Sequence, residues 1–224
     1  MKRKVIQTGD GSNTLEITDL NETYHSRHGA LAEAKHVFIE SGLSHWLSRY
    51  SNSKTLSIFE MGLGTGMNAL LSFDFLVHSP VKLYYLGLEA FPLESKEWLA
   101  MDAKGWGNYH QYLKLHEAEW NKEIELSPNK ILQKVNQTFE SFEPKTTFDI
   151  IYYDAFGARA QPELWEARWL QKCADMLSTG GVFVTYAAKG SVRRALEAAG
   201  LIVERLPGPP GKREMLRAAK PKQE

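Results

Sequence analysis

Apolar positions along the chain alternate between two periods. Short runs with strand character recur at Leu56-Ser57-Ile58-Phe59, Val81 to Leu88, Lys130 to Val135, Thr147 to Asp154, Val182 to Tyr186, Leu201 to Leu206 and Glu214 to Ala218. Between them lie stretches with helical spacing: Ala30 to Arg49 with a break near Gly42, Met67 to about Val77, a segment opened by Phe91-Pro92-Leu93, Pro162 to about Leu177, and Ser191 to Ala199. Two β-like stretches between Val5 and Ile17 flank the turn-rich Thr8-Gly9-Asp10-Gly11-Ser12 and predict an N-terminal β-hairpin. Trp98 to Trp120 reads as a helical insertion that packs aromatics. Strands alternating with helices predict an α/β fold, a doubly wound and mostly parallel sheet whose last strand can enter antiparallel. The pattern shows neither a repeat nor a linker. Residues 1–50 are expected to form a hairpin and helix packed on a core domain of residues 51–224, the whole a single structural unit.

The first long strand runs into Glu60-Met61-Gly62-Leu63-Gly64-Thr65-Gly66-Met67-Asn68. Three glycines at alternate positions permit a turn that a Cβ would hinder and let a ligand lie against the backbone. The following helix points free N–H groups and the positive end of its dipole at the same place. The spacing differs from the dinucleotide Gly-x-Gly-x-x-Gly and resembles the first motif of S-adenosylmethionine-dependent methyltransferases. Glu60, Gly62, Gly64, Thr65, Gly66 and Asn68 are therefore candidate cofactor residues. Glu89 ends the second strand, where a carboxylate can accept from both hydroxyls of a ribose. Asn136 and Gln137 follow the third strand; an amide there could read an adenine edge or cap a helix. Tyr24 could stack or donate a hydrogen bond in a nucleoside pocket, or serve only in packing. Glu60, Glu89, Asn136 and Asp154 all fall at carboxyl ends of strands, and in a doubly wound sheet those ends share one crevice. Asp154 lies one strand further and is the candidate to meet a substrate. A carboxylate there can hold an attacking amine and take its proton. Phe156 could stack on a planar base or plug its loop into the core.

With 224 residues, 27 Lys plus Arg against 27 Asp plus Glu, and one cysteine, the chain is long enough for a core that needs no disulfide or metal. The lone Cys173 excludes an internal disulfide and fits a reducing compartment. Seven histidines show no metal-ligand spacing. No Gly-x-Ser-x-Gly elbow or Walker loop is present, which leaves hydrolase and triphosphatase readings without support. The N-terminus lacks the apolar run of a signal peptide, and no segment is apolar enough to span a membrane. The charge is unevenly spread: Lys189, Arg193, Arg194, Arg205, Lys212, Arg213, Arg217, Lys220 and Lys222 crowd the C-terminal part, against Glu197, Glu204, Glu214 and Glu224. Such a face could hold phosphates or be a solvated surface.

Several segments together resemble one family. They are Tyr24-His25-Ser26 with Ala34-Lys35-His36-Val37-Phe38, the Glu60 to Asn68 block, Leu88-Glu89-Ala90-Phe91-Pro92-Leu93, Asp154-Ala155-Phe156 with Pro162-Glu163-Leu164-Trp165, Val192-Arg193-Arg194-Ala195-Leu196, and Gly211-Lys212-Arg213-Glu214-Met215-Leu216. The family is the methyltransferase module of the tRNA 5-methylaminomethyl-2-thiouridine biosynthesis enzymes (MnmC, or MnmD when it stands alone). The resemblance implies a class I, Rossmann-like S-adenosylmethionine-dependent methyltransferase. Its acceptor would be the 5-aminomethyl group of the tRNA wobble (2-thio)uridine. It gives Asp154 the catalytic role, Glu89 the cofactor ribose, and Phe156, Arg193, Lys212 and Arg213 the substrate side. It also implies a cytoplasmic enzyme whose amine comes from another tRNA-modifying enzyme, because the sequence has no room for the FAD-dependent half of the bifunctional members. The loop after the aspartate reads Asp-Gly-Phe-Ala-Pro in many members and Asp154-Ala155-Phe156-Gly157-Ala158 here. A small-molecule amine methyltransferase or aminopropyltransferase on the same fold would use Glu60, Glu89 and Asp154 equally well, without needing the C-terminal cations.

Overall fold

Strand β4 (Thr55–Met61) is the axis of the molecule, hydrogen-bonded in parallel to β5 (Lys82–Leu88) on one side and β8 (Phe148–Tyr153) on the other. The computed structural model describes residues 2–222; Met1, Gln223 and Glu224, the outermost residues of the two units expected from sequence, lie outside them. With β6 (Glu123–Ser127), β7 (Lys130–Val135), β9 (Leu177–Thr185), β10 (Ile202–Pro207) and β11 (Glu214–Ala219), the eight-stranded sheet has the order β10-β11-β9-β8-β4-β5-β7-β6. The inner five strands are parallel. β11 is antiparallel to both β9 and β10, as the strand–turn–strand ending predicts.

The inner strands bury both faces, so each face carries its own core. One gathers Ile58, Tyr85, Ile150 and Val184; the other gathers Phe59, Ile151, Tyr153 and Phe183. The helices are α1 (Ala30–Ala34), α2 (His45–Arg49), α3 (Met67–Phe75), α4 (Ser95–Leu99), α5 (Tyr109–Glu117), α6 (Ala167–Met176) and α7 (Gly190–Ala198).

Five local features depart from the sequence reading. The expected hairpin, β1 (Arg3–Gln7) with β2 (Asn13–Ile17), gains a third antiparallel strand, β3 (Glu22–Thr23). The expected break near Gly42 is absent: α1 runs through a π-helical stretch (Lys35–Ser44) into α2. Gly42 serves close approach instead, because a Cβ there would stand 3.1 Å from both Tyr152 and Val184. Phe91-Pro92-Leu93 stays irregular, and α4 begins only after Glu94, whose side chain forms a capping box with Glu97. The helix expected from Pro162 is a 3-10 turn (Pro162–Trp165) followed by α6, and β9 begins directly at Leu177, with Ser178 to Gly181 inside the strand. Edge strand β6 is the fifth departure: its Ile124 and Leu126 are scattered among charges, too short a pattern to signal a strand.

Candidate active site

The glycine turn joins β4 to α3. Gly62, Gly64 and Gly66 have φ of 90°, 49° and 73°, conformations that a Cβ penalises. The turn is braced on two sides. His116, on α5, lies 3.0 Å through Nε2 from the Thr65 carbonyl, and its ring stacks on Trp98 at 4.9 Å. That is the task of the aromatic-rich Trp98–Trp120 region, which no local pattern disclosed. From the N-terminal sheet, His25 lies 3.2 Å from Thr65 Oγ1, and the Tyr24 ring packs where a Gly64 Cβ would sit. Burial lowers His25 to about 4 and His116 to about 3, so both rings are neutral at pH 7.

A cavity of about 310 Å³ opens over this turn at the carboxyl ends of β4, β5 and β8. Tyr24, Gly62, Gly64, Thr65, Asn68, Glu89, Asp154 and Phe156 all line it. The Glu89 carboxylate is fixed by two backbone donors, Gly64 N–H at 2.9 Å and Phe91 N–H at 2.8 Å. Each oxygen keeps a further lone pair for a ligand hydroxyl. Phe156 meets Tyr24 edge-on, ring centroids 5.0 Å apart.

The remaining sequence candidates stand elsewhere. Glu60 does not reach the cavity. It is fully buried beneath it, with Oε1 accepting from Asn68 Nδ2 at 2.8 Å and Oε2 from the Tyr85 hydroxyl at 2.8 Å. Burial, then the charge of Asp154, holds its carboxyl well above the usual range. Gly66 lies behind the turn, packed toward Leu115. Asn136 is outside the cavity as well: its amide donates to the Glu89 carbonyl at 2.8 Å, a strap across two strand ends. Gln137, Thr138 and Phe139, just beyond it, are the residues that line the wall. The amide pair after β7 was the available signal, displaced by one residue. Arg193 is spent on Glu197, 2.6 Å away. Lys212 Nζ lies 3.0 Å from Glu33 Oε2 and 3.7 Å from the centroid of the Tyr186 ring. Lys212 and Arg213 border a second cavity rather than this one.

Asp154 lines the first cavity from the end of β8. Its Oδ2 accepts from Asn68 Nδ2 at 2.9 Å. Burial first, and then the charge of Glu33, raise its carboxyl to about 7, while the Asn68 hydrogen bond and Lys212 oppose the rise. The lining carries four carboxylates, Glu89, Glu140, Asp154 and Glu163, against one guanidinium, Arg168. That balance favours a cationic ligand. Asn68 Oδ1 is buried without a hydrogen-bond partner, an acceptor facing the same need. A sulfonium nucleoside fits these features: Glu89 would hold its ribose, Leu88 and Phe139 would flank its base, and the Asp154 end would face its charge. Among the described residues, no group of three or more His, Cys, Asp or Glu is arranged to hold a metal ion, and no helix is long and apolar enough to cross a membrane.

Comparison with known proteins identifies the family. The chain is 28% identical over 209 residues to the tRNA 5-methylaminomethyl-2-thiouridine biosynthesis bifunctional protein MnmC of Aromatoleum aromaticum, covering 88% of this chain and 32% of that protein. It is 29% identical over 219 residues to the protein of the same name from Nitrosospira multiformis, covering 92% of this chain and 35% of the relative. The chain thus spans about a third of the length of the curated relatives it matches. MnmC2 from Aquifex aeolicus superposes with a TM-score of 0.81 over 100% of this chain and 73% of that one, at 22% identity. Spermidine synthase from Thermotoga maritima gives a TM-score of 0.54 at 15% identity, over 98% of this chain and 72% of that one. Both structural likenesses speak to fold alone. A family model described as S-adenosyl-L-methionine-dependent methyltransferase matches residues 95–221, from α4 through the last strand and across Asp154. With that match over more than half its length, the chain belongs to the S-adenosyl-L-methionine-dependent methyltransferase family.

Proposed function

We propose that the chain methylates the 5-aminomethyl nitrogen of the wobble (2-thio)uridine of tRNA, giving 5-methylaminomethyl-2-thiouridine. The observation that carries this reading is Asp154: a carboxyl raised to about 7, lining the cofactor cavity and aligned by Asn68. S-adenosylmethionine, when bound, supplies an electrophilic methyl group and leaves as a neutral thioether. No acid is needed for that departure, so the residues act on the amine. An alkylammonium entering the cavity meets Asp154, which pairs with it and takes one proton, freeing the nitrogen lone pair. The nitrogen forms its bond to the methyl carbon as the carbon–sulfur bond breaks. The secondary ammonium and the neutral thioether then leave, and Asp154 returns its proton to solvent.

The tRNA acceptor is supported by the MnmC relatives and by Arg213 and Lys189, exposed cations that have no ion-pair partner among the described residues. A small-molecule amine acceptor is not favoured, since it leaves those cations without a task. On the tRNA reading the enzyme works in the cytoplasm, and a separate tRNA-modifying reaction must first install the primary amine. Incubation with labelled S-adenosylmethionine and tRNA bearing 5-aminomethyl-2-thiouridine should label that nucleoside. Folded, donor-bound protein that transfers no label to it would refute the proposal.

A further inference from the structure

A second cavity, of about 520 Å³, lies on the far side of the loop that carries Asp154. Its floor holds Trp165 and Tyr186, its sides are the small Gly157, Ala158 and Ala187, and its rim carries Lys189, Lys212 and Arg213 against the single acid Glu214. The two cavities share the loop as a party wall. Asp154, Ala155 and Phe156 face the first, and Gly157 and Ala158 face the second. From Asp154 to Gly157 is three peptide units, a reach of at most about 11 Å.

The floor is also tied to the loop. The Trp165 indole N–H donates to the Phe156 carbonyl at 2.8 Å, and the Tyr186 hydroxyl donates to the Ala155 carbonyl at 2.7 Å. Whatever settles in the second cavity therefore presses on the backbone that positions Asp154. Lys212 is partly committed, to Glu33 and to the Tyr186 face. Lys189 and Arg213 are exposed and available. An apolar floor with room for a ring, under a rim of cations, matches a sugar–base unit with its phosphate. The volume falls within the range of small-ligand sites.

We infer that the second cavity holds the nucleotide next to the one being methylated, with its phosphate on Lys189 and Arg213. This rests on the tRNA reading of the acceptor. It makes the enzyme select a polynucleotide over a free nucleoside by occupancy beside the catalytic loop, not only by long-range charge.

The test compares kcat/KM for the free 5-aminomethyl-2-thiouridine nucleoside with that for a trinucleotide carrying it in the centre. Wild-type protein should prefer the trinucleotide by about ten-fold or more, the effect of one well-placed phosphate and ring. In Lys189→Ala/Arg213→Ala that preference should fall below about three-fold, with a shallower salt dependence of trinucleotide binding. Calorimetry with S-adenosylmethionine reports whether the variant remains folded and donor-competent. Lys54→Ala/Lys145→Ala removes two exposed cations before β4 and β8, at the opposite edge of the sheet, and should keep the full preference. An undiminished preference in Lys189→Ala/Arg213→Ala, or an equal loss in the control pair, overturns the inference and leaves the tRNA reading standing. A wild-type enzyme that methylates neither substrate overturns both.

Discussion

Glu60, on β4, and Asp154, one residue past the adjacent parallel β8, share one amide: Asn68 Nδ2 lies 2.8 Å from Glu60 Oε1 and 2.9 Å from Asp154 Oδ2. One carboxyl is sealed in the core and the other lines the cavity, and the charge of Asp154 adds to the cost of ionising Glu60. The buried Glu60 is held in turn by the Tyr85 hydroxyl. Asn68, two residues past Gly66 on α3, thus ties the Asp154 carboxyl to the buried Glu60, while the turn itself borders the cavity.

The first prediction concerns that amide. A hydrogen bond to the charged form of a carboxyl lowers its pKa, and Asn68 is the donor that opposes the rise at Asp154. The acid limb of the kcat/KM profile should lie near pH 7 in the wild type, rate rising with pH as Asp154 ionises. Asn68→Ala should move that limb upward by about one unit, roughly the value of one hydrogen bond to a charged group. A limb that stays in place would show that Asn68 acts only in packing.

Asp154→Asn should lower turnover and raise stability together. Turnover should fall by about 10² to 10⁴, the usual loss of a positioned base, with donor affinity within about three-fold. Stability follows from linkage. A carboxyl at about 7 in the native state and about 3.9 unfolded contributes fully below pH 3.9, and the contribution is lost as pH rises to about 7. The neutral asparagine escapes that loss. Its advantage over wild type should therefore be smallest near pH 4, grow through the window, and level off above pH 7 at about 1–3 kcal/mol. Denaturant unfolding at pH 4, 6 and 8 without donor measures it; a difference independent of pH contradicts the assignment.

What was legible in the sequence was local. The alternate glycines and Glu89 could be read because a turn and a strand end are set by residues near each other in the chain. Asp154 could be read because a strand ending in an acid at the sheet's carboxyl edge has only one crevice to face. Glu60 could not be placed properly, since its burial depends on Tyr85 and Asn68, brought over it by strand register and by the return of α3. The brace from His116 to Thr65 spans 51 residues and leaves no trace in local periodicity. Arg193 and Lys212 looked alike as free cations, although helical spacing commits Arg193 to Glu197 and a distant helix supplies Glu33 to Lys212.

Glu89→Gln tests the ribose site. The carboxylate accepts from Gly64 and Phe91 with both oxygens, and an amide presents an N–H to one of those donors. Losing one charge-assisted bond, and the ionised acceptor for the donor's hydroxyls, should weaken S-adenosylmethionine binding by about 10- to 100-fold. Turnover at saturating donor should change by less than about three-fold, because Glu89 does not touch the amine. Calorimetry with steady-state kinetics separates the two; a large fall in turnover at unchanged affinity would place Glu89 in the chemical step.

Gly62 ties the turn to the loop that carries Asp154, and its substitution can be calibrated within the same chain. Both Gly62 and Gly11 have left-handed φ, 90° and 82°. At Gly11 an added Cβ meets nothing within 4 Å, so Gly11→Ala carries only the conformational penalty, about 1 kcal/mol. At Gly62 the same atom would stand 2.8 Å from the Asp154 carbonyl oxygen, which is backbone and cannot rotate away. Gly62→Ala should therefore cost about 3 kcal/mol in urea unfolding, the excess over Gly11→Ala measuring the collision. It should also lower turnover by about ten-fold or more even where the protein remains folded, because relief of the contact displaces Asp154 from its alignment on Asn68. Equal costs at the two glycines, with turnover preserved in Gly62→Ala, would show that the loop after β8 yields freely and that the position of Asp154 is set by the donor and acceptor.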